Sequence, residues 1–142
     1  MGAAGEIMRR KFAALNARDE AKMRSYFSHD AEKEVPGGVL HGSDQIAAFV
    51  AAFWEAFPNL KLTVTSEIEQ GPVVAVRGRM TGTHSGTLRT PGGDIPATGR
   101  DIDLAFSDDY EVQAGLIVSS HLLLDRLALL EQLGVIPAPA PA

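Results

Sequence analysis

Apolar residues near the N-terminus recur at helical spacing. Ile7, Met8, Lys11, Phe12 and Leu15 share one stripe, Asn16-Ala17-Arg18-Asp19 interrupts it, and Met23, Tyr26 and Phe27 take it up again. This predicts a long helix, a turn capped by Asp19 and a short second helix. Residues 32–35 and 39–41, split by Pro36-Gly37-Gly38, read as short strands about a tight turn. Ser43 is a good N-cap for a third helix over about 44–57. That helix gathers Ile46, Phe49, Val50, Phe53, Trp54 and Phe57 on one side and stops at Pro58.

From Leu60 onward the period changes to two. Leu60, Leu62, Val64 and Ile68 alternate with Lys61, Thr63, Thr65, Glu67 and Glu69, and Gln70-Gly71-Pro72 turns the chain. The next strand places Val74, Val76, Gly78, Met80, Gly82 and His84 on its inner face, with Arg77 and Arg79 outside. Residues 88–99, rich in Gly and Pro, form a loop or a long hairpin connection. A second inward row follows in Ile102, Leu104, Phe106, Asp108, Tyr110 and Val112. Gln113-Ala114-Gly115 then turns into a last strand over 116–124. Asp125 precedes a closing helix over 126–133 that Gly134 ends. Helices followed by strands and a closing helix imply an α+β domain over residues 1–136. N-terminal helices would pack on a strongly curved antiparallel sheet, forming a cone with an apolar pocket. Residues 137–142 would be a frayed Pro/Ala tail.

Composition narrows the chemistry. The 142 residues, 45% hydrophobic, suffice for one core. With no cysteine, disulfides, thiolate nucleophiles and Cys-ligated metals are excluded. A net charge of −5, with no basic cluster beyond Arg9-Arg10-Lys11, argues against nucleic-acid or anionic-membrane partners. The opening MGAAGEIMRRKF has no apolar signal core and no run is long enough to span a bilayer, so a soluble cytoplasmic protein is expected. The His and Asp residues follow no metal-ligand spacing and no phosphate loop follows a strand, so neither metal nor nucleotide cofactor is expected.

Asp108 is the outstanding residue, because a carboxylate in an otherwise apolar inward row costs several kcal/mol unless paired, hydrated or neutralised. It is a candidate general base, with His84 or Tyr110 as hydrogen-bonding support for the enolate. The alternative is a strand bulge that lets it reach water. His84, of the same parity, is a second candidate, able to orient Asp108 or polarise a carbonyl, or simply a histidine at the strand's wet end. His121 and Asp125 lie on the face opposite Leu122 and Leu124, so both point away from the pocket unless a bulge intervenes. Capping of the closing helix explains Asp125 better than catalysis does, and His121 fits a dimer contact on the outer sheet face.

EIMRRKFAALN, LHGSDQIAAFV, GPVVAVRGRMTGTHSG, IPATGR and QAGLIV…LLEQLG together resemble the SnoaL-like polyketide cyclases, with TGTHSG and GLIV…D…LLEQLG the most specific segments. The resemblance implies the cone fold shared with nuclear transport factor two and ketosteroid isomerase. It also implies cofactor-free ring closure of a polyketide ester by aldol chemistry, through an aspartate on the last strand and a histidine on the strand before. Registered on Gly115-Leu116-Ile117, the chain departs from that pattern: Asp108 falls at the histidine position and Leu122 at the aspartate position. An enzyme acting on a hydrophobic carbonyl compound by proton abstraction is one expectation. A non-catalytic domain holding a small apolar ligand is the other, and the Leu122 departure favours it. Tyr26, Trp54, Met80, Phe106, Tyr110, Ser120 and Leu122 are the expected binding residues. A homodimer through the outer sheet face is expected in both cases.

Overall fold

The computed structural model describes residues 2–137, so most of the expected tail lies outside the described residues. Helix α1 (Ala3–Asn16) buries Met8, Phe12 and Leu15, and Lys11 shares that face. Asp19 accepts from the Lys22 N–H and starts α2 (Glu20–Ser25). The second helix is shorter than its apolar spacing suggests. Tyr26 is its C-cap and Phe27 opens β1 (Phe27–Val35), because the Ile117 N–H donates to the Tyr26 carbonyl and draws the chain onto the sheet.

Strand β1 turns through Pro36-Gly37 into β2 (Gly38–His41), which leads directly into α3 (Gly42–Ala56). Ser43 is not the cap. His41 holds that position and makes no side-chain cap bond, Ser43 is buried in the first turn, and Gln45 Oε1 accepts from the His41 N–H instead.

Strands β3 (Lys61–Gln70), β4 (Val73–Thr83), β7 (Asp101–Gln113) and β8 (Leu116–Leu124) complete a six-stranded sheet of order β2-β1-β8-β7-β4-β3. Between β4 and β7, β5 (Leu88–Thr90) and β6 (Gly93–Ile95) form a separate hairpin where a loop or long connection is expected. The sheet is mixed rather than purely antiparallel, since β8 leaves the tight β7–β8 turn running parallel to β1. That turn is Ala114-Gly115, both at positive φ, the two-residue geometry that matches the strands' right-handed twist.

A bulge at Thr65 changes the face of β3. Val64 pairs with Gly78 and Ser66 with Arg77, so Thr65 is the extra residue and the alternation flips beyond it. Ile68 is therefore 70% exposed instead of inward. Glu67 and Glu69 turn toward α1, where Glu67 pairs with Arg9 and Glu69 accepts from the Gly2 N–H. Gly78 sits beside this bulge, and a Cβ there would lie 2.1 Å from the Thr63 carbonyl oxygen and 2.8 Å from the Phe106 ring. Its missing side chain is what lets Phe106 lie across the strand.

Helix α1 packs on β3, β4 and β7, and α3 on β1, β2 and β5. Both inward rows are buried as their alternation predicts: Val74, Val76 and Met80 from β4, and Ile102, Leu104, Phe106, Asp108, Tyr110 and Val112 from β7. Asp125 caps α4 (Arg126–Gln132) through the Ala128 N–H, and Gly134, at φ +76°, ends it.

Candidate active site

Three adjacent strands and one helix bring five polar side chains together inside the core. On β7, Asp108 and Tyr110 are two residues apart and share a face. Ser120 on β8 stands opposite Tyr110, and Lys33 on β1 stands opposite Ser120. Lys33 reaches inward because Ala31, Lys33 and Val35 form the buried row of β1. Lys11 comes down from α1.

Lys33 Nζ donates to Asp108 Oδ2 at 3.0 Å and to Ser120 Oγ at 2.8 Å. Tyr110 Oη donates to the same Oδ2 at 2.7 Å and accepts from Lys11 Nζ at 2.9 Å. The Lys33 and Asp108 side chains are each only 3% exposed, which makes this a buried ion pair with its hydrogen bonds concentrated on one carboxylate oxygen. The other oxygen, Oδ1, is buried and has no hydrogen-bond partner among the described residues.

Electrostatics divides the roles. Burial raises the Tyr110 phenol well above its ordinary value, and the charge of Asp108 and the hydrogen bond to it add to the shift, so the phenol is a proton donor at neutral pH. Burial lowers Lys11 to about 7, helped by the positive charge of Lys33 and opposed by Asp108. Lys11 Nζ also lies 4.2 Å from the centroid of the Phe12 ring, and no carboxylate stands within ion-pair distance of it among the described residues.

Lys11, Lys33 and Asp108 line a cavity walled by Phe49, Phe53, Leu62, Met80, Phe106 and Leu122. Its volume is about 40 Å³. A neighbouring hollow of about 130 Å³ shares Phe49, Phe53 and Leu124 and is also lined by Arg89 and Arg126.

Of the sequence candidates, Asp108, Met80, Phe106 and Leu122 line the cavity, and Tyr110 and Ser120 hold the polar cluster from behind. The others stand apart. His84 follows the far end of β4, eight positions from Val76, the residue facing Asp108, or roughly 25 Å along the strand. Its ring packs at 5.4 Å from that of Phe57, and Nδ1 accepts from the Thr98 N–H at 3.2 Å. Desolvation lowers its pKa, and Nε2 is buried without a partner among the described residues.

His121 lies on the outer face between Asp109, at 3.0 Å, and Glu34, at 3.2 Å, and Asp125 is engaged as the cap of α4. No bulge turns either inward, since Asp109 pairs with His121 and Asp108 with Leu122 in unbroken register. Trp54 packs under the Arg18 guanidinium, and Tyr26 borders a surface hollow between α1 and α2. Sequence reasoning missed the roles of Lys11 and Lys33. The available signal was a lysine in phase with an apolar row, in α1 and in β1 respectively. Among the described residues no three His, Cys, Asp or Glu side chains converge as metal ligands, and no helix is long and apolar enough to cross a membrane.

Helices packed on a mixed six-stranded sheet give an α+β fold similar to that of solved structures with ketosteroid isomerase-like and NTF2-like folds. Within that class the chain belongs to the SnoaL-like polyketide cyclase family, whose sequence profile matches residues 6–133. It is similar to IdmH, a proposed polyketide cyclase from Streptomyces antibioticus, at 25% identity and a TM-score of 0.79, covering 92% of this chain and 98% of that one. A proposed SnoaL-like polyketide cyclase from Jannaschia sp. CCS1 aligns at 23% identity and TM-score 0.83, covering 95% and 94%. An NTF2-like protein of unknown function from Burkholderia pseudomallei K96243 aligns at 19% and 0.78, covering 94% and 98%. No curated protein matches the chain by sequence.

Proposed function

We propose that this protein is a cofactor-independent enzyme of the cyclase or isomerase type, acting on a hydrophobic, carbonyl-bearing substrate of polyketide character. The observation that carries this reading is the division of labour on Asp108. Lys33 and Tyr110 occupy Oδ2 and fix the carboxylate, which leaves Oδ1, without a partner among the described residues, as a free acceptor on a residue that lines the cavity. Oδ1 takes a proton from the carbon next to the substrate carbonyl, and the electron pair moves into the carbonyl to give an enolate. A Lys11 N–H meets the enolate oxygen. Where the same substrate carries a second carbonyl, the enolate carbon attacks it, a carbon–carbon bond forms, and the new alkoxide recovers a proton.

The departure at Leu122 is consistent with this. Asp108 and Leu122 are direct partners across the β7–β8 ladder, so the carboxylate is displaced by one strand, with side chains roughly 5 Å apart, and still faces the same cavity. Ketosteroid isomerase provides the chemical precedent, since there an aspartate removes a proton next to a carbonyl without a metal.

The test is chromatographic turnover of a panel of aromatic polyketide methyl esters. Asp108→Asn is expected to lose about 10²–10⁴-fold in rate. Asp125→Asn and His121→Asn are expected to retain wild-type turnover, and a loss confined to the Asp125 variant would sink the assignment. The apolar wall of Phe49, Phe53, Met80, Phe106 and Leu122 favours a second reading, a binding domain for a small apolar ligand. Saturable binding with no conversion of any ester would establish that reading instead.

We also infer a homodimer through the outer sheet face, where Leu123 is 69% exposed beside the His121, Asp109 and Glu34 cluster. Light scattering at micromolar concentration should return twice the chain mass, and a monomer would refute it.

A further inference from the structure

Lys11 has features that hydrogen bonding to an enolate does not require. Its stem emerges from the buried face of α1, and its amine ends among the Phe12 and Tyr110 rings while the residue lines the cavity. Lys33 already neutralises Asp108, so the cluster holds one more amine than it has carboxylates. Among the described residues, the hydrogen bond made by Lys11 Nζ runs to a phenol oxygen rather than to an anion. A lysine confined in apolar surroundings beside a second cation is the arrangement that yields an amine nucleophile.

We propose that Lys11 is a nucleophile that condenses with the carbonyl carbon of a β-dicarbonyl ligand held in this cavity. This deepens the proposed function and rests on its premise that the cavity takes carbonyl compounds. The neutral Nζ forms a bond to the carbonyl carbon as the carbonyl π pair moves to oxygen. That oxygen takes a proton released by the nitrogen, and the carbinolamine then loses water to leave a C=N bond. With a β-dicarbonyl the imine passes a proton from the intervening carbon to nitrogen and becomes a conjugated vinylogous amide. On a substrate, Asp108 Oδ1 would remove the proton next to an iminium rather than a ketone. The resulting enamine carbon attacks the second carbonyl, and water then releases the product and restores the amine. No oxidant or reductant enters the cycle.

Position also supplies selectivity. Burial among the Phe12 and Tyr110 rings beside Lys33 brings Lys11 from the ordinary 10.5 to about 7, so a substantial share of its amine is neutral at neutral pH. Lys33, held by Asp108 and Ser120, is engaged as a donor.

The experiment is incubation of the full chain with 2-acetylcyclohexanone, following the vinylogous-amide absorption band, and with a simple cyclic ketone plus cyanoborohydride. Intact mass should then rise by the mass of the ketone less one oxygen atom, and peptide mapping should place the adduct on Lys11. Adduct formation should climb with pH through about 7 and vanish in Lys11→Met, a variant of similar length that removes a buried amine. Calorimetric binding of the same ketone is measured in parallel. Binding without an adduct, or adducts confined to the N-terminal amine, Lys33 or the surface lysines, would overturn the role of Lys11 while leaving the cavity's carbonyl ligand intact. Absence of both binding and adduct would overturn the two together.

Discussion

At the scale of single residues, the Lys33–Asp108 pair is stable only as a pair. Each charge is buried, and removing one partner leaves the other uncompensated, a loss of about 3–5 kcal/mol in comparable sites. Lys33→Met should therefore destabilise the protein by that order in urea unfolding, with Lys33→Met/Asp108→Leu regaining most of the loss. A double variant no more stable than Lys33→Met would show that the pair contributes chiefly through packing. Asp108 was legible in the sequence because a carboxylate interrupts an apolar row of period two. The lysines were not, because a lysine on an amphipathic stripe ordinarily runs its stem along apolar surface and keeps its amine in water. What holds Lys33 inside is Asp108, 75 residues away, and Ser120, 87 residues away, partners that no local pattern announces. His84 shows the converse failure. Parity gave its face correctly, but its position along the strand separates it from Asp108.

At the scale of elements, periodicity gave the long helices and the four long strands from Lys61 onward nearly to the residue, since each carries a strong apolar rhythm. It failed where one residue changes the phase. Thr65 adds a position to β3, and every assignment beyond it inverts, so Ile68 goes out and Glu67 and Glu69 come in toward α1. It failed again where tertiary pairing overrode helical spacing, at Tyr26 and Phe27. Caps divided on the same principle. Asp19 and Asp125 each close a helix through an N–H three residues on, whereas Ser43 is displaced because α3 starts as soon as β2 ends. Helix α4 spans seven residues, too few to persist on propensity alone. Asp125→Ala should cost about 1 kcal/mol, read as a lower melting temperature, with turnover of any substrate unchanged. An unchanged melting temperature would mean that Leu129 and Leu133, both buried, hold α4 without its cap.

At the scale of the whole molecule, the polar cluster sets how stability responds to pH. Lys11 titrates near 7 in the folded protein and near its ordinary 10.5 when unfolded. Between those values the unfolded chain binds the extra proton, so stability rises with pH, by at most about 1.4 kcal/mol per unit from this one group. Below 7 both states are protonated and the penalty of charging a buried amine is present in full. Tyr110 acts in the opposite sense. Its folded pKa is raised, so its contribution is complete below the ordinary phenol value of 10 and fades above it as the unfolded chain gives up its proton. His84, lowered by burial, removes stability as pH falls through its ordinary 6.5, where the unfolded imidazole binds a proton more readily. Taken together, these three groups make stability rise from neutrality into the alkaline range, until the ordinary phenol value of 10 is reached. The melting temperature of wild type should therefore climb from pH 7 to 9. Lys11→Met should melt higher than wild type at pH 7 and show little slope over that interval, while keeping the fall below pH 6.5 that belongs to His84. A wild-type curve that is flat from pH 7 to 9 would mean that Lys11 keeps an ordinary affinity for its proton, and the electrostatic account of the cluster would fail with it.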